Sequence, residues 1–294
     1  MNIGISAYDM DGQDLVDLAV AADGLGFDAL WLGEHVVLPV EYSTPHPTAS
    51  SKSQQHHTGP IVDLSTRLLD PWFLLGAVAS MTNHLRLATG VYILPLRHPL
   101  LTARAAANAH DLSGGRFILG VGAGWLREEF DALDVPFGDR WTRVEESIEI
   151  LRSAWKGGPF SFHGKHFAFD PIQVTPHAVE PPIILGGNTE RALERAVRLG
   201  DGWFSSGTPS LDEARELQAR INAIRGEHAP DREFRCYFRM EGADAANFDR
   251  YREAGIEDLV VWADQVWPTG SLDDKRRTLA ETAERLGVRA RPVS

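Results

Sequence analysis

Short apolar runs alternate along this chain with longer stretches whose apolar positions recur at helical spacing. Asn2–Ala7 (NIGISA) predicts a first strand. Behind it Leu15, Leu18, Ala19, Ala22 and Leu25 form a stripe over Gln13–Leu25, and Gly26 is placed to cap that helix. Ala29–Leu32 (ALWL) predicts a second strand. Leu85–Tyr92 predicts a third, followed by a helix over Leu100–Leu112. Arg116–Val121 predicts a fourth, with its later helix over Trp141–Trp155. Pro182–Leu185 and Gly202–Ser205 predict strands five and six, followed by helices over Glu190–Leu199 and Leu211–Arg225. Phe234–Met240 and Asp258–Trp262 complete the set, with helices over Ala245–Ala254 and Ser271–Leu286. Strands alternating with helices imply a parallel sheet with right-handed crossovers, and eight such units close most naturally into a (β/α)8 TIM barrel. A doubly wound open sheet is the alternative fold.

Two segments break this rhythm. Val36–Asp70, rich in Ser, Thr, Pro and His, is an insertion after strand two, on the face where barrel enzymes carry out catalysis. Phe160–Pro181 is an insertion after strand four and reads as a hairpin flap (FSFHGKHFAF). Both are expected to shape a substrate pocket, since long loops in compact folds are often lids or binding loops. With no repeat and no linker, residues 1–294 are expected to form a single domain.

A length of 294 residues suits a barrel and allows a large core without covalent staples. The net charge of −12 argues against nucleic acid, whose phosphates require clustered Lys and Arg. The lone cysteine, Cys236, forbids an internal disulfide and fits a cytoplasmic protein. No secretory signal pattern opens the chain, and no apolar run approaches the roughly 18 residues of a membrane span. No metal is expected: His-Glu-x-x-His is absent, and neither His56-His57 nor His163 with His166 has a convincing set of further ligands. A Walker loop and a G-x-S-x-G elbow are absent too.

The candidate chemistry gathers at strand ends. In LRLATGVYILPLRHP (85–99), Gly90 interrupts a buried strand, as glycine does at a bulge or where a ligand approaches the backbone. Gly33-Glu34-His35 follows strand two, putting a residue that titrates near neutrality at the catalytic rim. His35 there is either a structural histidine or a proton donor and acceptor. Leu119–Glu129 (LGVGAGWLREE) carries Gly120, Gly122 and Gly124, a G-x-G-x-G run that departs from the dinucleotide fingerprint. These glycines leave room for a ring system at the barrel mouth, and Trp125 is placed to line a pocket there. In PIILGGNTE (182–190), Gly186 and Gly187 lead to Asn188 and Thr189 at a helix start. That arrangement is either an ordinary capped helix or a phosphate site built from free backbone N–H groups.

Together these segments resemble the bacterial luciferase-like superfamily of flavin and deazaflavin oxidoreductases. The resemblance runs through GFDALWLGEH (26–35), LATGVYILPLRHP (87–99), DLSGGRFILGVGAGW (111–125), PPIILGGNTERAL (181–193) and GDGW (200–203), nearly the whole chain. LGVGAGWLREEF (119–130) is similar to the branch that uses coenzyme F420, a 5-deazaflavin. The resemblance implies a barrel with its cofactor at the C-terminal face and a bulge with a non-prolyl cis peptide at Gly90–Val91 behind the ring. It implies phosphate binding at Gly186, Gly187, Asn188 and Thr189. It also implies contacts to the cofactor from His35, Thr89, Gly90, Val91, Gly122 and Gly124. His35 matches a histidine near the reactive ring carbon and is the expected catalytic residue, with Glu34 either orienting it or pointing away. Arg97, Arg127 and Arg140 are candidate cations for the anionic F420 tail. Sugar-phosphate dehydrogenases of this branch carry a glutamate acid where Trp125 stands here, which argues against sugar-phosphate chemistry. The implied activity is hydride transfer to or from a small-molecule substrate, with a separate enzyme reducing or oxidising the cofactor, in a homodimer. An FMN-dependent monooxygenase and a non-catalytic flavin-binding protein are the alternatives.

Overall fold

The computed structural model describes residues 1–46 and 63–290. Its strands β1 (Asn2–Ala7), β2 (Ala29–Leu32), β3 (Arg86–Thr89), β4 (Tyr92–Ile93) and β5 (Phe117–Gly122) belong to one parallel sheet. That sheet continues through β8 (Ile183–Gly186), β9 (Gly202–Phe204), β10 (Arg235–Arg239) and β11 (Asp258–Trp262). Pairing of β1 with β11 at one seam, and of β3 and β4 with β5 at another, closes the sheet into a (β/α)8 barrel. The third stave is β3 and β4 together, so the single third strand expected from Leu85–Tyr92 is broken. Ala88 pairs with Ile118 and Tyr92 with Val121, so four steps along the third stave match three along β5. One residue is therefore extra, a bulge centred on Gly90.

Helices α1 (Gly12–Leu25), α3 (Pro99–Leu112), α5 (Arg140–Trp155), α6 (Glu190–Leu199), α7 (Leu211–His228), α8 (Ala245–Glu253) and α10 (Leu272–Arg285) lie close to the spans the sequence predicts. Their starts are fixed by caps such as Asp11, whose carboxylate accepts from Gln13 N at 3.0 Å. Short α4 (Arg127–Ala132) and the single turn α9 (Ala263–Val266) follow β5 and β11. Helix α2 (Pro71–Met81) is an addition to the sequence reading. Its residues PWFLLGAVASM are apolar on nearly every side, so no amphipathic stripe marks them, although Asp70 caps the helix and Pro71 opens it.

The barrel interior is a separate apolar cluster of Ala29, Trp31, Ala88, Ile118, Ile184, Phe204, Tyr237 and Val260. Trp31 is its centre, stacked on Phe204 at 4.4 Å and edge-on to Tyr237 at 4.7 Å. It fits because Gly4 is small: a Cβ there would stand 3.0 Å from the indole nitrogen. Emptying a site this buried would cost about 3–5 kcal/mol. Below this plug, a cavity of about 770 Å³ opens at the N-terminal mouth, where Arg86 pairs with Asp28 and Arg235 with Asp258 around Tyr237. These paired charges finish the end of the barrel away from the catalytic face.

The expected hairpin is present as β6 (Phe160–His163) and β7 (Ala168–Ile172). It packs on α5, where the Glu146 carboxylate accepts from the backbone N–H groups of Lys165, His166 and Phe167 at 2.7–3.2 Å. Its tip meets His98 and Arg143 through Phe167. Its anchorage is thus to the helical layer. The loop Val36–Asp70 is described over residues 36–46 and 63–70; the rest of it, with His56 and His57, lies outside the described residues. Among the described residues no helix is long and apolar enough to cross a membrane.

Candidate active site at the C-terminal mouth

The bulge sets the shape of the mouth. The Gly90–Val91 peptide is cis, as the resemblance implies, and Val91 stands against β5 and β8. A Cβ on Gly122 would lie 2.7 Å from Val91 Cγ2, and one on Gly186 would lie 3.2 Å from Val91 Cγ1. Val91 is therefore seated between two glycines of neighbouring staves. Gly124, with φ +77, is crowded in the same way by Ile93 and Phe130. The room left by Gly122 and Gly124 is thus filled by the chain itself and fixes the third stave. Thr89 is buried and donates to Gly120 O at 2.7 Å, tying the strands below the bulge.

His35 lies at the end of β2, where its Nδ1 is 3.0 Å from Glu129 Oε2. The Glu129 carboxylate is fully buried, and its Oε1 accepts from the backbone N–H groups of Val36 and Val37. One side chain of α4 therefore orients the imidazole and pins the two residues after it. Such a pair fixes the tautomer by placing a proton on Nδ1 and leaves Nε2 to exchange protons with a ligand. The adjacent Glu128 holds the same loop further on. Its carboxylate accepts from Ser43 N at 2.8 Å and Thr44 Oγ1 at 2.8 Å. Slight desolvation is outweighed by these bonds, which hold the Glu128 carboxyl far below its ordinary value, at about 2.

Glu34 points away from His35. Both its oxygens meet Arg97 at 2.7 Å, and Oε1 also accepts from Ile93 N at 2.6 Å. Burial pushes the Glu34 carboxyl up, while Arg97 and the Ile93 N–H oppose that shift. Arg97 in turn lies 4.4 Å from the Tyr92 ring. The Glu34–Arg97 pair thus anchors the strand beyond the bulge, and Arg97 is not available to a ligand tail.

An aromatic wall stands over the mouth. Trp125 meets His35 at 5.8 Å, Tyr42 at 5.8 Å and His46 at 4.9 Å, all edge-on. Burial, and then electrostatic repulsion from the neighbouring His35 and Arg239, push His46 down to about 4. Arg239, at the end of β10, is buried and donates to the Gly90 carbonyl at 3.2 Å. His35 and His46 thus meet on Trp125, and Arg239 touches the bulge carbonyl near them.

At the end of β8, Gly187 has φ +119, a conformation suited to glycine. Asn188 is engaged with the next loop: its amide donates to Ser206 O and its oxygen accepts from Ser206 N, both at 2.8 Å. Thr189 caps α6, accepting from Ala192 N at 3.3 Å. The first-turn amides of Glu190 and Arg191 have no intrahelical partner by construction. The Glu190 carboxylate is paired with Arg220, so that helix end keeps its positive character.

The structure thus brings His35, Thr89, Gly90, Val91, Gly122, Gly124 and Gly186 to one side of the mouth and Gly187, Asn188 and Thr189 to its rim. Sequence reasoning missed Glu129 and Arg239. The signal for Glu129 was an acid pair in the first turn of a helix just after strand four; for Arg239 it was a lone arginine ending strand seven.

Residues 3–243 match the family described as luciferase-like monooxygenase. An uncharacterised protein of Mycobacterium tuberculosis is 30% identical over 248 residues, 84% of this chain and 83% of that protein. An F420-dependent glucose-6-phosphate dehydrogenase of Nakamurella multipartita is 28% identical over 269 residues, 88% of this chain and 70% of that enzyme. The solved structure of an F420-dependent secondary alcohol dehydrogenase in complex with an F420-acetone adduct superposes with a TM-score of 0.74 at 16% identity, covering 97% of this chain and 98% of the other. That likeness shows the shared barrel. By the extent of the family match, the chain is an oxidoreductase that belongs to the luciferase-like monooxygenase family.

Proposed function

We propose that this protein is an F420-dependent oxidoreductase that transfers a hydride to or from a small organic substrate. The observation that carries the reading is the His35–Glu129 pair beside the bulged third stave. It places an oriented proton donor and acceptor next to the surface on which a flat ring would rest. The F420-dependent relative from Nakamurella multipartita supports the choice of cofactor.

The residues present fit such a group. Gly90 and Val91 would support the ring, and the first turn of α6 after Gly186–Thr189 would hold the phosphate through its free amides. Arg127 and Arg140 flank Phe137 at 4.6 and 3.9 Å. Burial, then Arg127 and Arg195, lower the pKa of Arg140, which marks a concentration of positive charge suited to an anionic tail. When bound, the deazaflavin supplies or accepts the hydride. His35 donates or accepts the balancing proton through Nε2, Glu129 keeps it oriented, and Trp125 with Tyr42 and His46 excludes water and lines the substrate space. Trp125 in place of an acid argues against a sugar phosphate as the substrate.

Titrating the apoprotein with F420 and with FMN tests the reading. Tight FMN binding with no detectable F420 binding would replace it with the flavin-dependent alternative. A separate enzyme would recycle the cofactor. The same reading makes the protein a homodimer through α2 and α3, whose outer faces expose Phe73 (84%), Met81, Leu101 and Leu112. Light scattering of wild type and Phe73→Asp tests this, and a monomeric wild type would discard it.

A further inference from the structure

Three arginines lie on barrel strands, and two of them have carboxylate partners, Arg86 with Asp28 and Arg235 with Asp258. The third, Arg239, has none among the described residues. Its Nε and Nη2 reach Ser6 Oγ at 3.4 and 3.3 Å, Nη1 reaches Ser205 O at 2.9 Å, and Nη2 reaches Gly90 O at 3.2 Å. The two faces of the guanidinium are covered by Phe204 and Trp262, with ring centroids at 4.3 and 4.6 Å. All of these partners are neutral. Arg239 is only 8% exposed, and burial alone lowers its pKa to about 9.

A buried charge without a counter-charge is costly, because cation–π contacts and neutral acceptors replace only part of its hydration. Four hydrogen bonds also leave one of its five N–H groups over. Arg239 ends its strand at the mouth, touches the bulge carbonyl, and lies near enough to His46 to lower the pKa of that imidazole, as His35 does. A missing counter-charge at such a place is one that a ligand can bring.

We propose that Arg239 is the anion subsite of this pocket, binding a negatively charged oxygen of the ligand that lies between it and His35. The inference rests on the reading of the mouth as a cofactor and substrate pocket. The oxyanion is either a carboxylate or enolate oxygen of the substrate or the delocalised charge on the reduced cofactor ring. Both are planar oxygen anions of the kind a guanidinium edge recognises.

The test begins with the wild-type apoprotein and sodium acetate as probe, at ionic strength held constant with sodium chloride. Acetate should raise the melting temperature saturably and change tryptophan emission, a signal that Trp262→Phe should diminish. Arg239→Met should weaken acetate binding about 30-fold or more, the usual order for truncating a buried charge contact. Absence of saturable acetate binding to the wild type would overturn the proposal whether or not the variant folds. So would undiminished binding in folded Arg239→Met. Affinities for oxidised and reduced F420 then separate the two sources. If the ring is the anion, Arg239→Met selectively loses affinity for the reduced form. If the substrate is, both forms bind as before. Acetate binding in a protein that takes up neither F420 nor FMN would refute the cofactor reading while leaving the anion subsite standing.

Discussion

His35 is oriented by Glu129, 94 positions away in the chain, and not by the neighbouring Glu34. Successive residues at a strand end point to opposite sides, so Glu34 turns into the wall toward Arg97 while His35 faces the mouth. His35 and its partner thus come from the segments that follow two different staves, the loop after β2 and helix α4 after β5.

Replacing His35 with Ala should lower turnover by about 10²-fold or more if it moves a proton in the reaction. Glu129→Gln should lower turnover while substrate affinity changes little, and should speed hydrogen exchange at the Val36 and Val37 amides. Wild-type exchange at those amides would show that Glu129 does not hold the loop.

The Glu34–Arg97 pair is a stability element. Glu34→Ala or Arg97→Met alone should cost about 3–5 kcal/mol, because each strands a buried charge. Removing both, as Glu34→Leu with Arg97→Met, should cost less than the sum of the single changes. Urea unfolding of the four proteins measures this coupling, and additive losses would disprove it.

Gly122→Ala should destabilise by about 1–3 kcal/mol, since its new methyl would meet Val91 at 2.7 Å. Combining it with Val91→Ala should recover part of the loss. No recovery in the double variant would mean that something other than Val91 sets the fit.

Much of this molecule can be read from its sequence. The alternation of strands and helices yields the barrel, because each stave is a short apolar run and each helix a separate stripe. The glycine at position 90 points to the bulge, and His35 is placed at the rim by the strand before it. Helix α2 escapes because its sequence is apolar nearly all round, leaving no periodicity to detect. Glu129 and Arg239 escape because partnership across the mouth depends on which staves become neighbours, and spacing along the chain does not encode that. Gly122 and Gly124 are legible as small residues, but not as the seats of Val91, Ile93 and Phe130.

Acid should destabilise the protein through His46. Its folded-state pKa of about 4 lies below the roughly 6.5 of an exposed imidazole. Between those values the unfolded chain binds a proton that the folded protein excludes, so stability falls as pH drops through this window and is unaffected by this group above it. Thermal melts from about pH 7 to 4 should show a decline that His46→Gln flattens. An identical decline in the variant would assign it to other groups.

The shared anchorage of the loop and the imidazole works as an interlock. Glu129 holds Val36 and Val37 with one oxygen and His35 with the other, while Glu128 fastens Ser43 and Thr44 one residue earlier on the same short helix. Lifting the loop off α4 to admit a ligand would take away the partner that aims the imidazole. On the proposed reading of His35 as the proton donor and acceptor, admitting a ligand past this loop and aiming the imidazole would then be mutually exclusive.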